Sequence, residues 1–106
     1  MIGFFDRISA DKKFAEKLVQ KLAQDVPPIT LSAGGKVVSV NRVTRLLERT
    51  FNAAQAYQAE HNMGFVRRAL FANAFKWELK SVNYSEDFSK IATEGLVVAL
   101  MKKAAV

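Results

Sequence analysis

The chain contains no cysteine, which excludes disulfides, thiolate metal sites and a cysteine nucleophile. It has a single histidine, His61. A zinc-type centre needs several ligands, and neither a second histidine nor a close carboxylate cluster offers them. A serine triad needs a histidine held by a carboxylate, and nothing in the spacing points to one. Long apolar runs are also missing. "GLVVALM", Gly95 to Met101, is far shorter than the about 20 residues a bilayer span requires. The opening "MIGFFDRISADKK" has no basic region ahead of a long apolar stretch, so a signal peptide is not expected. These absences together lead to the expectation of a soluble, cytoplasmic, non-catalytic protein with no cofactor and no metal.

What is present is ordinary in bulk and uneven in detail. The length of 106 residues suits one domain over 1–106 with a core of its own. The net charge of +6 is concentrated in the middle. Residues 36–80 carry eight bases against three acids, net +5, while the flanking segments come to +1 and 0. A basic patch of this kind attracts an acidic protein surface or a nucleic acid.

The periodicity reads as all-α, a small bundle of four main helices with a short hairpin or loop insert between helices one and two. The first helix is expected over Asp11–Val26, with Phe14, Leu18, Leu22 and Val26 on one stripe and Ser9 as N-cap. Pro27-Pro28 ends it. "ITLSAGGKVVSV", Ile29 to Val40, has β-branched residues around Gly34-Gly35 and suits a hairpin or an ordered loop. The second helix spans Asn41 to His61, with Gly64 as the expected C-cap. The third, Phe65 to Val82, is apolar on most of its circumference and reads as a buried central helix, with Phe65, Phe71, Phe75 and Trp77 in the core. The fourth begins at an N-cap, Ser85, followed by Glu86 and Asp87, and closes with Lys102 and Lys103 in its last turn.

Function has to be sought on surfaces, since no catalytic constellation is visible. Arg42, Arg45 and Arg49 fall within about a 60° arc of the second helix, opposite a broad face of Val43, Leu46, Leu47, Thr50, Phe51, Ala54, Tyr57 and His61, where His61 is expected to pack or cap. Glu48 can pair with Arg45; Arg42 and Arg49 have no acid three or four residues away along the helix. Arg67 and Arg68 stand in the first turn of the third helix, where free N–H groups and two guanidinium groups could hold an anion. These five arginines are the candidate anion- or partner-binding residues. Residues Ile29 to Leu46 partly match a helix-turn-helix, but Gly34-Gly35 would lie inside its first helix at about 1 kcal/mol each relative to alanine. The apolar end of the fourth helix, Val97, Leu100 and Met101, is a candidate self-association surface for a homo-oligomer. Its cover would be either the apolar chain start, Ile2, Phe4, Phe5 and Ile8, or another subunit. The leading expectation is a small interaction module that binds an acidic partner through the basic helix face. A nucleic-acid-binding protein using the arginine-rich helix is the alternative.

Overall fold

A computed structural model describes residues 3–28 and 40–102. They form a bundle of four helices, α1 (Phe4–Asp25), α2 (Val40–His61), α3 (Phe65–Ser81) and α4 (Glu86–Met101). The expected hairpin or loop over Ile29–Val40 falls outside the described residues, except that Val40 already opens α2.

The first helix starts two turns earlier than its apolar stripe suggests. Gly3 is the N-cap, and its N–H donates to Asp6 Oδ2 at 3.3 Å, the acidic half of a capping box. Ser9 therefore lies inside the helix and caps nothing. Asp11, expected at the helix start, is an interior residue and is buried. The buried stripe runs through Asp11, Ala15, Leu18, Val19 and Leu22, the i, i+4 and i, i+3 spacing of one helix face.

Two short connections end helices in the same way. Asn62 and Asn83 adopt positive φ, 50° and 79°, the left-handed conformation that asparagine tolerates better than other residues with a Cβ. In each case the next residue donates back to the carbonyl five residues earlier. Met63 N–H bonds Gln58 O, and Tyr84 N–H bonds Leu79 O, both at 3.1 Å. This is the Schellman arrangement, with a buried apolar residue following the left-handed one. Asn62 thus takes the terminating role expected of Gly64, and Gly64 instead N-caps α3. Ser85 caps α4 as expected, its Oγ accepting from Phe88 N–H at 3.1 Å. The far end differs. The helix stops at Met101, so Lys102 stands at the C-cap rather than in the last turn, and Lys103 lies outside the described residues.

Packing contacts run from α1 to α3, α3 to α4, α4 to α2 and, more sparsely, α2 to α1. The core is built from Val19, Leu22, Val26, Phe71, Phe75, Leu79 and Leu96, each almost fully out of water. Burying a side chain of this kind contributes about 1.5–3 kcal/mol. The third helix is less enclosed than its composition implies. Phe71 and Phe75 are buried, but Phe65 and Trp77 are 79% and 59% exposed, and Val66 and Leu70 also face outward. A four-helix bundle gives α3 only two close neighbours, α1 and α4, so a helix apolar all round keeps an uncovered side.

Candidate interaction surfaces

On α2 the apolar positions Leu46, Thr50 and Ala54 turn inward, and Val43, Leu47, Phe51 and Tyr57 are half-buried against the core. Arg42, Arg45 and Arg49 accordingly stand on the exposed side. Arg49 leans toward α1, where its Nη1 lies 3.9 Å from Asp25 Oδ2. That is the outer limit of an ion pair, and with the guanidinium side chain 65% exposed it contributes at most about 1 kcal/mol. Between the two helices lies a small cleft of about 90 Å³. Leu18, Leu22, Leu46 and Ala53 give it an apolar floor, while Lys21, Asp25 and Arg49 form its rim. The candidate helix-turn-helix overlaps the described residues only from Val40 onward, within α2.

Arg67 and Arg68 are adjacent in sequence and go separate ways. Arg67 is turned inward to α1. Its Nε and Nη2 donate to the two oxygens of Asp11 at 2.9 Å each, and its Nη1 reaches His61 O at 3.2 Å. Tyr57 O–H donates to the same Asp11 at 2.8 Å. A fork-to-fork pair of this kind is strong and directional, and it sits almost wholly out of water. The hydrogen bond to Asp11 raises the pKa of Arg67 above its usual value. Burial first, and then the Asp11 bond, push the Tyr57 hydroxyl up to about 12. Phe14 stacks on the Tyr57 ring at 4.1 Å between centroids, and the His61 ring lies tilted against it at 4.2 Å. Arg67 is therefore a joint between α1, α2 and α3, and it has no outward-facing guanidinium to offer an anion. His61, itself exposed, contributes its ring to the stack and its carbonyl to Arg67.

Arg68 points to α4, donating to Leu100 O at 3.3 Å. Gln58 Nε2 donates to the same carbonyl at 2.8 Å, and Gln55 Nε2 to Ala99 O at 3.0 Å. The last carbonyls of a helix have no partners within it, so side chains from α2 and α3 close the end of α4. Beside this end lies an open groove of about 570 Å³ between α3 and α4, lined by Phe65, Arg68, Ala69, Ala72, Val97, Leu100 and Met101. The three residues expected on the self-association surface divide. Val97 and Met101 are 38% and 71% exposed, whereas Leu100 is buried and serves as floor. Of the chain-start residues expected as cover, Phe5 is 84% exposed, Phe4 is about half covered at 49%, and Ile2 lies outside the described residues.

The five arginines consequently do not form one surface: three lie on the outer side of α2, one is internal, and one borders the groove on α3. Sequence reasoning missed the cleft floor and the α3 wall of the groove. The available signal was the sequence around Gly64-Phe65, since a large aromatic directly after a helix cap has few neighbours to cover it. Among the described residues no group of three or more His, Asp or Glu could hold a metal ion, and no helix is long and apolar enough to cross a membrane. No protein-family model, curated protein or solved structure matches the chain.

Proposed function

We propose that this protein is a small non-catalytic interaction module whose α1–α2 face binds an acidic protein segment carrying an apolar anchor. The observation that carries the reading is the exposed Arg49 on the rim of a cleft floored by leucines, with the exposed Arg45 one turn before it on α2. Arg42 lies on the same side of α2. An acidic helix laid across this face would set carboxylates against the guanidinium groups, and one aliphatic side chain would enter the cleft. The apolar floor favours protein over nucleic acid, because a phosphate backbone has nothing to place there. Separation of the arginines points the same way, since Arg67 and Arg68 add nothing to a continuous basic track.

The test uses two probes on the intact chain: a labelled amphipathic peptide with glutamates on one face and leucines on the other, and a random-sequence DNA duplex. The peptide binds, and Arg45→Glu with Arg49→Glu weakens it roughly 30-fold, at about 1 kcal/mol for each reversed charge. The duplex binds weakly, with a log–log salt slope no steeper than about −3 for three phosphate contacts. Peptide binding that survives both reversals refutes the proposal. Tighter duplex binding with a steeper slope replaces it with the nucleic-acid reading.

A further inference from the structure

We infer that Asp25 is a built-in competitor at the α1–α2 cleft, a carboxylate of the chain's own that occupies Arg49 until an acidic partner displaces it. This deepens, and rests on, the function proposed above. Asp25 is the last residue of α1, and no base stands in the last turn of that helix. The end of a helix carries unpaired carbonyls and forms a negative pole, where a cation is favoured and an anion is not. An acid at this position works against its own helix. It does not serve as a cap either, because the C-cap is Val26, whose N–H donates to Leu22 O at 2.7 Å.

What Asp25 does reach lies across the cleft. Its Oδ2 is 3.9 Å from Arg49 Nη1, and the two side chains are 33% and 65% exposed. An ion pair so long and so wet adds little to stability, and the helix pole subtracts from that. Local choices in a sequence ordinarily agree with the fold, and the exceptions gather at functional sites. Asp25 is such an exception, and it stands where the ligand's apolar anchor enters, on the rim with Lys21 and Arg49 over the leucine floor. Of the four neighbouring helix pairs, α1 and α2 pack the most sparsely. Few contacts hold the two rims, and a long ion pair between them is easily exchanged.

A carboxylate arriving at Arg49 from the cleft side meets Asp25 at the same time. It displaces Asp25 or lies beside a like charge, and either course subtracts from affinity. Arg49 thus contributes to binding only the difference between the partner's carboxylate and the one already there. Such a counter-charge serves specificity, since a segment with a lone acidic side chain gains little at Arg49 that Asp25 does not already supply. A segment with carboxylates spread along one face gains from the exposed Arg45 as well.

Fluorescence anisotropy of the labelled glutamate–leucine peptide tests it on the intact chain at 0.15 M salt, where the Debye length is about 8 Å. Asp25→Asn removes the competing charge and keeps the shape of the side chain. Glu94→Gln is the control: it changes the net charge equally, from an exposed position on α4 that does not line the cleft. Asp25→Asn tightens peptide binding about 3- to 5-fold, the reach of one exposed ion pair, and Glu94→Gln leaves it unchanged. In an Arg49→Gln background most of the gain from Asp25→Asn is lost, because the group it occupied is gone. Urea unfolding gives a readout without the peptide, and the midpoint of Asp25→Asn stays close to that of the wild type. Unchanged affinity in Asp25→Asn overturns the inference, as does an equal gain from Glu94→Gln, which leaves only net charge at work. A gain undiminished without Arg49 overturns it too, since Asp25 then repels the peptide directly. A large drop in the urea midpoint makes the pair a structural strut instead. A peptide that binds neither the wild type nor Asp25→Asn refutes the proposed function itself, and the competitor with it.

Discussion

Asp11 accepts three hydrogen bonds, two from Arg67 and one from Tyr57, from a position almost wholly out of water. Removing one partner of such a pair differs from removing both. Asp11→Ala leaves the Arg67 guanidinium buried and uncompensated, which costs about 3–5 kcal/mol, a large share of the about 5–15 kcal/mol that holds a domain folded. Replacing both with apolar residues of similar volume, Asp11→Leu with Arg67→Met, removes the desolvation penalty together with the attraction. The double variant, which also takes the acceptor from the Tyr57 hydroxyl, is expected within about 2 kcal/mol of the wild type. Urea unfolding of the three proteins measures the difference. A single variant as stable as the wild type would mean that water reaches Arg67. The same pair explains why Arg67 was misjudged from sequence. Its partner is 56 residues away, and no local pattern announces an ion pair formed between distant helices.

Helix by helix, legibility followed amphipathicity and local cap chemistry. On α2 the apolar and basic sides separate cleanly, so the exposed arginines could be placed from spacing alone. On α4 the Ser85 cap depends on residues within one turn and was equally legible. The third helix has apolar residues on every side, so periodicity could not say that Arg67 turns in and Arg68 turns toward α4. The α1 start was missed for a different reason: Ser9, a good capping residue type, sits inside the helix, while the actual cap is Gly3 with Asp6, a weaker local signal. Gly95 in α4 shows a further constraint that helical spacing does not reveal. A Cβ there would lie 2.7 Å from Phe51 Cζ, so the glycine exists to admit the ring of α2. Gly95→Ala gains about 1 kcal/mol in helix propensity but overpacks the contact by about 1–3 kcal/mol, for a net loss of about 1 kcal/mol. With Phe51→Ala already made, the obstruction is gone and the same change should stabilise by about 0.5–1 kcal/mol. Thermal melts of the four-member cycle check this inversion of sign, and a gain in both backgrounds would show that the ring moves aside freely.

Across the whole bundle, α1 is tied at two points by tyrosine hydroxyls. Tyr57 O–H donates to Asp11 in its interior, and Tyr84 O–H donates to Val26 O at its C-cap. Both hydroxyls are pushed up to about 12, in each case chiefly by burial, with the Asp11 bond adding at Tyr57 and the nearby Asp25 charge at Tyr84. An unfolded tyrosine titrates near 10. Between about pH 10 and 12 the folded protein therefore holds protons that the unfolded chain has released, and stability falls as pH rises. Below about pH 10 the contribution of both tyrosines is fully present; above it, ionisation removes hydrogen bonds that join α1 to α2 and to the α3–α4 connection. Urea midpoints measured from pH 8 to pH 11.5 should hold level and then drop. Tyr57→Phe and Tyr84→Phe, each less stable at pH 8 because a donor is lost, should flatten that drop, since every other titrating group is shared with the wild type. An equal alkaline slope in both variants would place the loss elsewhere and leave the two hydroxyls as passive struts.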